Sequence, residues 1–281
     1  MRMKGNLYFY IEKYPEYKDI ILFYEKVCSL QEKSKPEIYG IEKKVQELES
    51  KKKNKEYPLI NRSDFIVDIV SSMKLFKTLL EECRDANDLL NRNICVLEEV
   101  LLNKDINLSY LIENHSNDSY LEFISNEHGI DLQILKFLIF TSIYPSIQIN
   151  VDKFKNLIDF REFLKGYCPI CGSLPFISAL KDEGRRYLSC SYCYFEWLTE
   201  RLKCPFCENN DHNSLHYFFE EGDEIRRIDL CEQCKHYIKT IDLRKLSYQM
   251  DITVENIISL HLDLIALEKG YKKPTSSFWI I

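Results

Sequence analysis

Eight of the chain's 11 cysteines fall between residues 168 and 234, as four C-x-x-C pairs. They are Cys168 and Cys171 in "CPIC", Cys190 and Cys193 in "CSYC", Cys204 and Cys207 in "CPFC", and Cys231 and Cys234 in "CEQC". As disulfides, such pairs would close four small strained loops and staple nothing distant. As thiolates, two cysteines at this spacing aim at one ion when the backbone between them forms a tight knuckle. Backbone N–H groups in that knuckle then donate to the sulfurs and offset their charge. Proline after the first cysteine presets one turn dihedral, and glycine after the second, here Gly172, permits a left-handed residue. Glu208 and Lys235 take the glycine's place in the third and fourth knuckles, so those turns are predicted to be less favourable.

The gaps between the pairs are 18, 10 and 23 residues, and "RRYLSCSYC" and "RRIDLCEQC" end two similar halves. This is the pattern of a duplication. A gap of 18 or 23 residues accommodates a β-hairpin that returns one knuckle opposite another. Sequential pairing is the economical arrangement: Cys168, Cys171, Cys190 and Cys193 hold one ion, and Cys204, Cys207, Cys231 and Cys234 the other. The crossed arrangement, first pair with third and second with fourth, is the alternative. Four thiolates suit zinc, and they suit iron in a mononuclear site equally. His212 and His216 lie near Cys207, but eight cysteines already complete two sites without them.

Away from the cysteine pairs the chain reads as two textures. Residues 1–165 carry helical periodicity. "PEYKDIILFYEKVCSLQEK" is one helix, and residues 32–56 are a charged, solvated helix with a loop. A stripe of Phe65, Ile66, Ile69, Val70, Met73, Phe76 and Leu80 predicts a further helix with Ser63 as its N-cap. "LQILKFLIFTSIYPSIQI" (132–149) is too interrupted by Gln133, Lys136 and Pro145 for a membrane span, and is expected to be a core helix ending near Pro145. "CVLEEVLLN", "SYLEFISNEHG" and "FKNLIDFREFLKG" continue the pattern, with Gly129 and Gly166 as stops. Cys28, Cys83 and Cys95, inside these helices, are expected to be small buried side chains. From Gly166 to about Met250 the chain turns to short β-prone runs: "FISAL", "RRYLSC", "FEWLTERLKC", "LHYFFEEGDEIRRIDLC" and "YIKTIDL". "EEGDE" is the expected hairpin turn. "DITVENIISLHLDLIALEKGY" then returns to helical spacing as a closing helix that Gly270 ends.

Charge narrows the function. The net charge is −6. Residues 166–250 hold 11 Lys and Arg against 13 Asp and Glu, and two divalent ions in four-thiolate sites take that region to about −6. Nucleic acid and anionic membranes need a positive field, so neither is the expected partner, although Arg185, Arg186, Arg226 and Arg227 could form a local basic patch. The first 20 residues have no secretory pattern, and a reducing cytoplasm is the expected compartment. No nucleophile with a base, paired-carboxylate motif or glycine-rich phosphate loop stands out, so no catalytic residue is assigned.

The ordered string "GYCPICGSLP … GRRYLSCSYCYFEW … RLKCPFCE … LCEQCKHYIK" resembles the formate dehydrogenase accessory proteins called FdhE. Gly172, Pro175, Tyr187, Leu188, Trp197, Arg201, Tyr237 and Lys239 match as well, and "ENIISLHLDLIALEKGY" looks like that family's closing helix. The family usually carries a pair of aspartates in that helix, where this chain has Glu255 and Asn256. The resemblance implies an α+β fold: an all-α N-terminal domain (1–165), two tandem rubredoxin-like, zinc-ribbon-type modules (166–203 and 204–250), and a C-terminal helix and tail (251–281). It implies the eight cysteines as ligands of two ions, iron or zinc. It also implies a non-catalytic cytoplasmic assembly factor, or chaperone, that binds the catalytic subunit of a formate dehydrogenase and is needed for its maturation. A rubredoxin-like electron carrier is the alternative, with a zinc-ribbon nucleic-acid module behind it. Oligomeric state is left open.

Overall fold

The computed structural model describes residues 7–159, 163–246 and 251–275. Two compact units are distinguished among them. One gathers described residues within 1–21, 51–59 and 155–280, and the other those within 22–50 and 60–154.

The second of these units is helical. α1 (Leu7–Lys13) opens the chain and belongs to the first unit, while α2 (Lys18–Lys33) and α3 (Ile41–Lys53) lie mainly in the second. α4 (Ile69–Cys83), α5 (Asp88–Leu102), α6 (Leu108–Glu113), α7 (Asp118–His128) and α8 (Leu132–Phe154) complete the set. α4 lies against α8, α6 and α5, burying Leu75, Phe76, Leu79 and Leu80. Asn87, Asn107 and Asn117 cap α5, α6 and α7 by accepting the N–H three residues on, and Gly129 ends α7 in the left-handed conformation.

Several expectations need correction here. α8 does not end at Pro145 but runs on to Phe154. Proline deprives the Thr141 carbonyl of its helical donor, and Gln31 Nε2 supplies one at 2.9 Å. α8 and the turn after it (Leu132–Leu157) are long and apolar enough to cross a membrane, yet 78% of the most apolar window is buried within the protein. α4 starts at Ile69 with Asp68 as its cap, not at Ser63. The amide side chain of Asn150 captures both the N–H and the C=O of Ile66, which holds that segment out of the helix. Val70, expected on the buried stripe, is 65% exposed. "FKNLIDFREFLKG" yields only the end of α8 and one 3-10 turn (Lys155–Leu157) among its described residues. Of the lone cysteines only Cys83 is buried; Cys28 is half-buried and Cys95 exposed.

The remaining unit is built on one six-stranded sheet. Its strands are β1 (Pro175–Lys181), β2 (Arg185–Cys190), β3 (Glu196–Thr199), β4 (Leu215–Phe218), β5 (Arg226–Cys231) and β6 (Tyr237–Asp242), in the order β3-β2-β1-β6-β5-β4. Each cysteine-bearing half contributes an antiparallel three-stranded set. β1 and β6 join the halves by parallel pairing, Ile177 opposite Lys239 through Leu180 opposite Asp242. The two modules therefore share one continuous sheet. "EEGDE" turns β4 into β5, with Gly222 at φ +92°.

The closing segment is two helices, α9 (Ile252–Ile258) and α10 (Leu260–Glu268), rather than one. The break at Ser259 has a local cause. Ser259 Oγ donates to the Glu255 carbonyl, and Lys239 Nζ takes the carbonyls of Asn256 and Ser259. α10 lays Leu262 and Ala266 on Ile228, Leu230 and Tyr237 of β5 and β6.

Candidate metal centres

One backbone bond recurs in all four knuckles and a second in three of them. The first cysteine's N–H donates to the carbonyl five residues on: Cys168 to Ser173, Cys190 to Phe195, Cys204 to Asn209 and Cys231 to His236, at 2.8–3.0 Å. In three knuckles the residue after the second cysteine donates back to the first cysteine's carbonyl: Gly172, Glu208 and Lys235. That residue is left-handed in all four, with φ of +74° at Gly172, +58° at Tyr194, +60° at Glu208 and +55° at Lys235. The turn is thus built with or without glycine. The three side-chain-bearing residues each carry the steric cost of that conformation, about 1 kcal/mol.

The hairpins bring the knuckles together in sequential pairs. Cys168, Cys171, Cys190 and Cys193 form one group and Cys204, Cys207, Cys231 and Cys234 the other, each with all four sulfurs within 4.8 Å of one another. This excludes the crossed arrangement. Nearest sulfurs stand 3.6 Å (Cys168 and Cys193), 3.5 Å (Cys171 and Cys190) and 3.7 Å (Cys171 and Cys193) apart in the first group. In the second they stand 3.7 Å (Cys204 and Cys234) and 3.6 Å (Cys207 and Cys231) apart. A disulfide needs about 2.05 Å. Four bonds of about 2.3 Å from one tetrahedral ion give sulfur separations of about 3.8 Å. The spacing fits an ion and not a disulfide, so each group could hold one metal. Among the described residues no histidine or carboxylate joins either group.

Without a cation the surroundings hold four of the eight sulfurs as thiols. Burial pushes the Cys168, Cys193 and Cys204 thiols well up, so without an ion they stay protonated. Burial likewise raises Cys234, to about 11. Two cysteines go the other way. Cys171 is lowered by hydrogen bonds from Cys168 and its other sulfur neighbours. Cys231, despite the upward pull of burial, is held at about 7 by the Cys234 N–H and by Asn209 Nδ2, which donates to its sulfur at 3.5 Å. The N–H groups of Tyr192 and Cys193 donate to Cys190 Sγ, each at 3.4 Å.

Residues outside the cysteine pattern hold the first knuckle in place. Leu59 N–H donates to the Pro169 carbonyl at 2.9 Å, and the Pro58 ring lies over Gly172, 3.1 Å from where a β-carbon would sit. Nothing in the sequence around "EYPLI" marks it for this role beyond being an apolar break in a charged run. Gly166, expected as a helix stop, is needed instead for close approach: a β-carbon there would fall 1.8 Å from the Pro205 carbonyl oxygen of the third knuckle.

The chain also matches known proteins here. Residues 167–201 match the family model described as FdhE, central domain, and residues 202–279 the one described as FdhE, C-terminal domain. Together the two models match residues 167–279 of this chain. Each matched stretch contains one complete four-cysteine group. A "Protein FdhE homolog" of Aquifex aeolicus is 38% identical over 156 residues, covering 54% of this chain and 54% of that protein. A "Protein FdhE homolog" of Pseudomonas aeruginosa is 36% identical over 114 residues, covering 37% and 36%. "Protein FdhE" of Escherichia coli K12 is 32% identical over 136 residues, covering 47% and 43%. The matches thus span about half or less of these relatives. The crystal structure of the FdhE protein from Pseudomonas aeruginosa superposes with a TM-score of 0.68 at 20% identity, covering 95% of this chain and 90% of that one, which establishes a shared fold.

The residues that carried the family likeness now have physical tasks. Trp197 Nε1 donates to the Lys165 carbonyl at 2.8 Å. Tyr237 OH donates to Asp263 at 2.8 Å, and Lys239, fully buried, meets Asp263 Oδ2 at 2.5 Å while donating to two carbonyls. Three acceptors around one Nζ match an ammonium ion's three donors, although burial pulls the Lys239 pKa down to about 7. Glu255, fully buried in α9, takes two bonds from Arg226 at 2.8 Å and one from Tyr10 OH at 2.7 Å.

The arginines do not make the basic patch that was open from sequence. Arg186 and Arg226 are buried, and Arg227 pairs with Asp229 at 2.8 Å. Arg186 spans the two modules. It donates to Ser178 Oγ, to Asp229 on β5, and to the Lys203 carbonyl just before Cys204.

Proposed function

We propose that the eight cysteines ligate two metal ions, iron or zinc, and that this chain is a non-catalytic accessory factor for a formate dehydrogenase. In this reading it works in the cytoplasm, binds the enzyme's catalytic subunit, and is needed for that subunit to mature. The observation that carries the reading is the placement of one complete four-sulfur group in each of the two stretches that match FdhE domains. The ions act first as structural members. Each ties a knuckle to the end of a hairpin in modules of 38 and 47 residues, close to the size of about 40 residues below which packing alone seldom holds a fold together. The domain division expected from sequence, 1–165, 166–203, 204–250 and 251–281, is retained as part of this proposal.

Two experiments test the reading. Metal content of the purified chain should be two equivalents, and replacing Cys168 and Cys171 together by serine should remove one. Affinity capture from the host should bring down a formate dehydrogenase catalytic subunit, and disrupting the gene should abolish formate dehydrogenase activity while that polypeptide is still made. Normal activity in the disrupted strain refutes the accessory role.

A further inference from the structure

The two sulfur groups have the same internal geometry but different exposure. In the first, Cys168, Cys190 and Cys193 have no accessible surface and Cys171 has 5%. Its knuckle residues Pro169, Ile170 and Tyr192 are buried too, and Phe195 closes the far side. The 57–59 segment covers it, with Leu59 bonded to Pro169 and Pro58 over Gly172. Reaching any of these sulfurs requires opening the sheet's core.

The second group is half open. Cys204 and Cys231 are buried, but Cys207 and Cys234 are partly exposed, and they are the second cysteine of each knuckle. Pro205 and Phe206 are only half-buried, and Glu208, Gln233 and Lys235 are exposed. The strand leading out of this knuckle, β4, is the short outer edge of the sheet and has no buried residue. Residues 210–213, between knuckle and strand, are exposed throughout. Both left-handed positions of this group carry side chains, Glu208 and Lys235, whereas the first group has a glycine at one of its two.

We infer that the second centre is the one that exchanges its ion with solution, while the first holds its ion as a permanent part of the fold. The inference rests on the metal-binding reading above. Exchange begins when an incoming ligand atom bonds to the ion as one metal–thiolate bond breaks and the released thiolate takes a proton from water, or when a proton from water bonds to a sulfur that leaves the ion as a thiol. At Cys207 and Cys234 that step needs only fraying of an edge. At the first centre it needs an opening of the sheet and of the 57–59 cover, which lies at the stable end of local unfolding.

The test uses the full-length chain loaded with two equivalents of zinc, challenged with EDTA, and followed by native mass spectrometry. Iodoacetamide labelling with peptide mapping runs in parallel. One equivalent should leave in a first phase with alkylation at Cys207 and Cys234. The second should leave at least about tenfold more slowly, with Cys168, Cys171, Cys190 and Cys193 labelled only then. Equal rates, or labelling of the first group before the second, overturn the inference while leaving metal binding intact. A reduced chain that takes up fewer than two ions overturns the metal reading and this inference with it.

Discussion

Replacing Glu255 by alanine should destabilise the sheet-bearing unit by about 3 kcal/mol, near the lower end of what breaking a buried ion pair costs. The figure follows from the contacts. Glu255 is fully buried and accepts Arg226 Nε and Nη2, both at 2.8 Å, and Tyr10 OH at 2.7 Å. Arg226 is itself 2% exposed. Without Glu255 its guanidinium keeps Asp223 at 2.9 Å and the Tyr14 hydroxyl at 2.9 Å, so about half of its donors stay satisfied. The remainder face a space emptied of their acceptor. For a unit of this size a loss of about 3 kcal/mol corresponds to roughly 10 °C in the midpoint of its thermal transition. Differential scanning calorimetry reads this, and far-UV circular dichroism shows whether the mainly helical unit melts separately. A paired replacement, Arg226→Met with Glu255→Leu, should recover most of the loss, because it removes both charges at once. A shift below about 2 °C for Glu255→Ala, or a double variant no more stable than the sum of the singles, refutes the view that this pair holds α9 to β5.

Other perturbations separate the remaining claims. Gly166→Ala places a β-carbon against the Pro205 carbonyl and should displace the third knuckle, so that metal analysis finds one ion instead of two. Lys235→Gly should stabilise the fourth knuckle by roughly 1 kcal/mol, since its ion pair with Glu232 is surface-exposed and worth little, and chelator-induced loss of one ion should slow accordingly. Gln31→Leu orphans the Thr141 carbonyl in α8 and should cost about 1–3 kcal/mol, seen in the transition of the helical unit alone. Burial lowers His115 to about 4, so the stability that its neutral form contributes is complete above the imidazole's ordinary 6.5 and is lost as pH falls through 4. His115→Gln should flatten urea-denaturation midpoints of the helical unit across that window.

How the chain divides its information follows from the range of each interaction. C-x-x-C spacing, the hairpin-length gaps and the "EEGDE" turn are local, and the two sulfur groups and the β4–β5 turn form where they predict. Sequential pairing of the knuckles was likewise the shorter loop to close, and the sulfur positions agree with it. The family likeness, carried by residues such as Trp197, Tyr237 and Lys239, was legible because those residues sit beside the knuckles or on the strands between them.

Other features depended on partners far along the chain. Pro145 does not stop α8 because Gln31, more than a hundred residues earlier, supplies the missing donor. The Ser63 cap fails because Asn150 holds Ile66. The closing helix breaks at Ser259 because Lys239 reaches its carbonyls from β6. Arg186 of "RRYLSC" and Arg226 of "RRIDLC" are buried structural cations because β5 brings Asp229 to the first and α9 brings Glu255 to the second. Periodicity and spacing record what a residue does to its neighbours within a turn or a hairpin, and on that basis the sequence by itself determined where the eight sulfurs come together. Which sulfurs are sealed and which reach solvent depends on the strand order and on the cover from residues 57–59, and only the tertiary structure decided that.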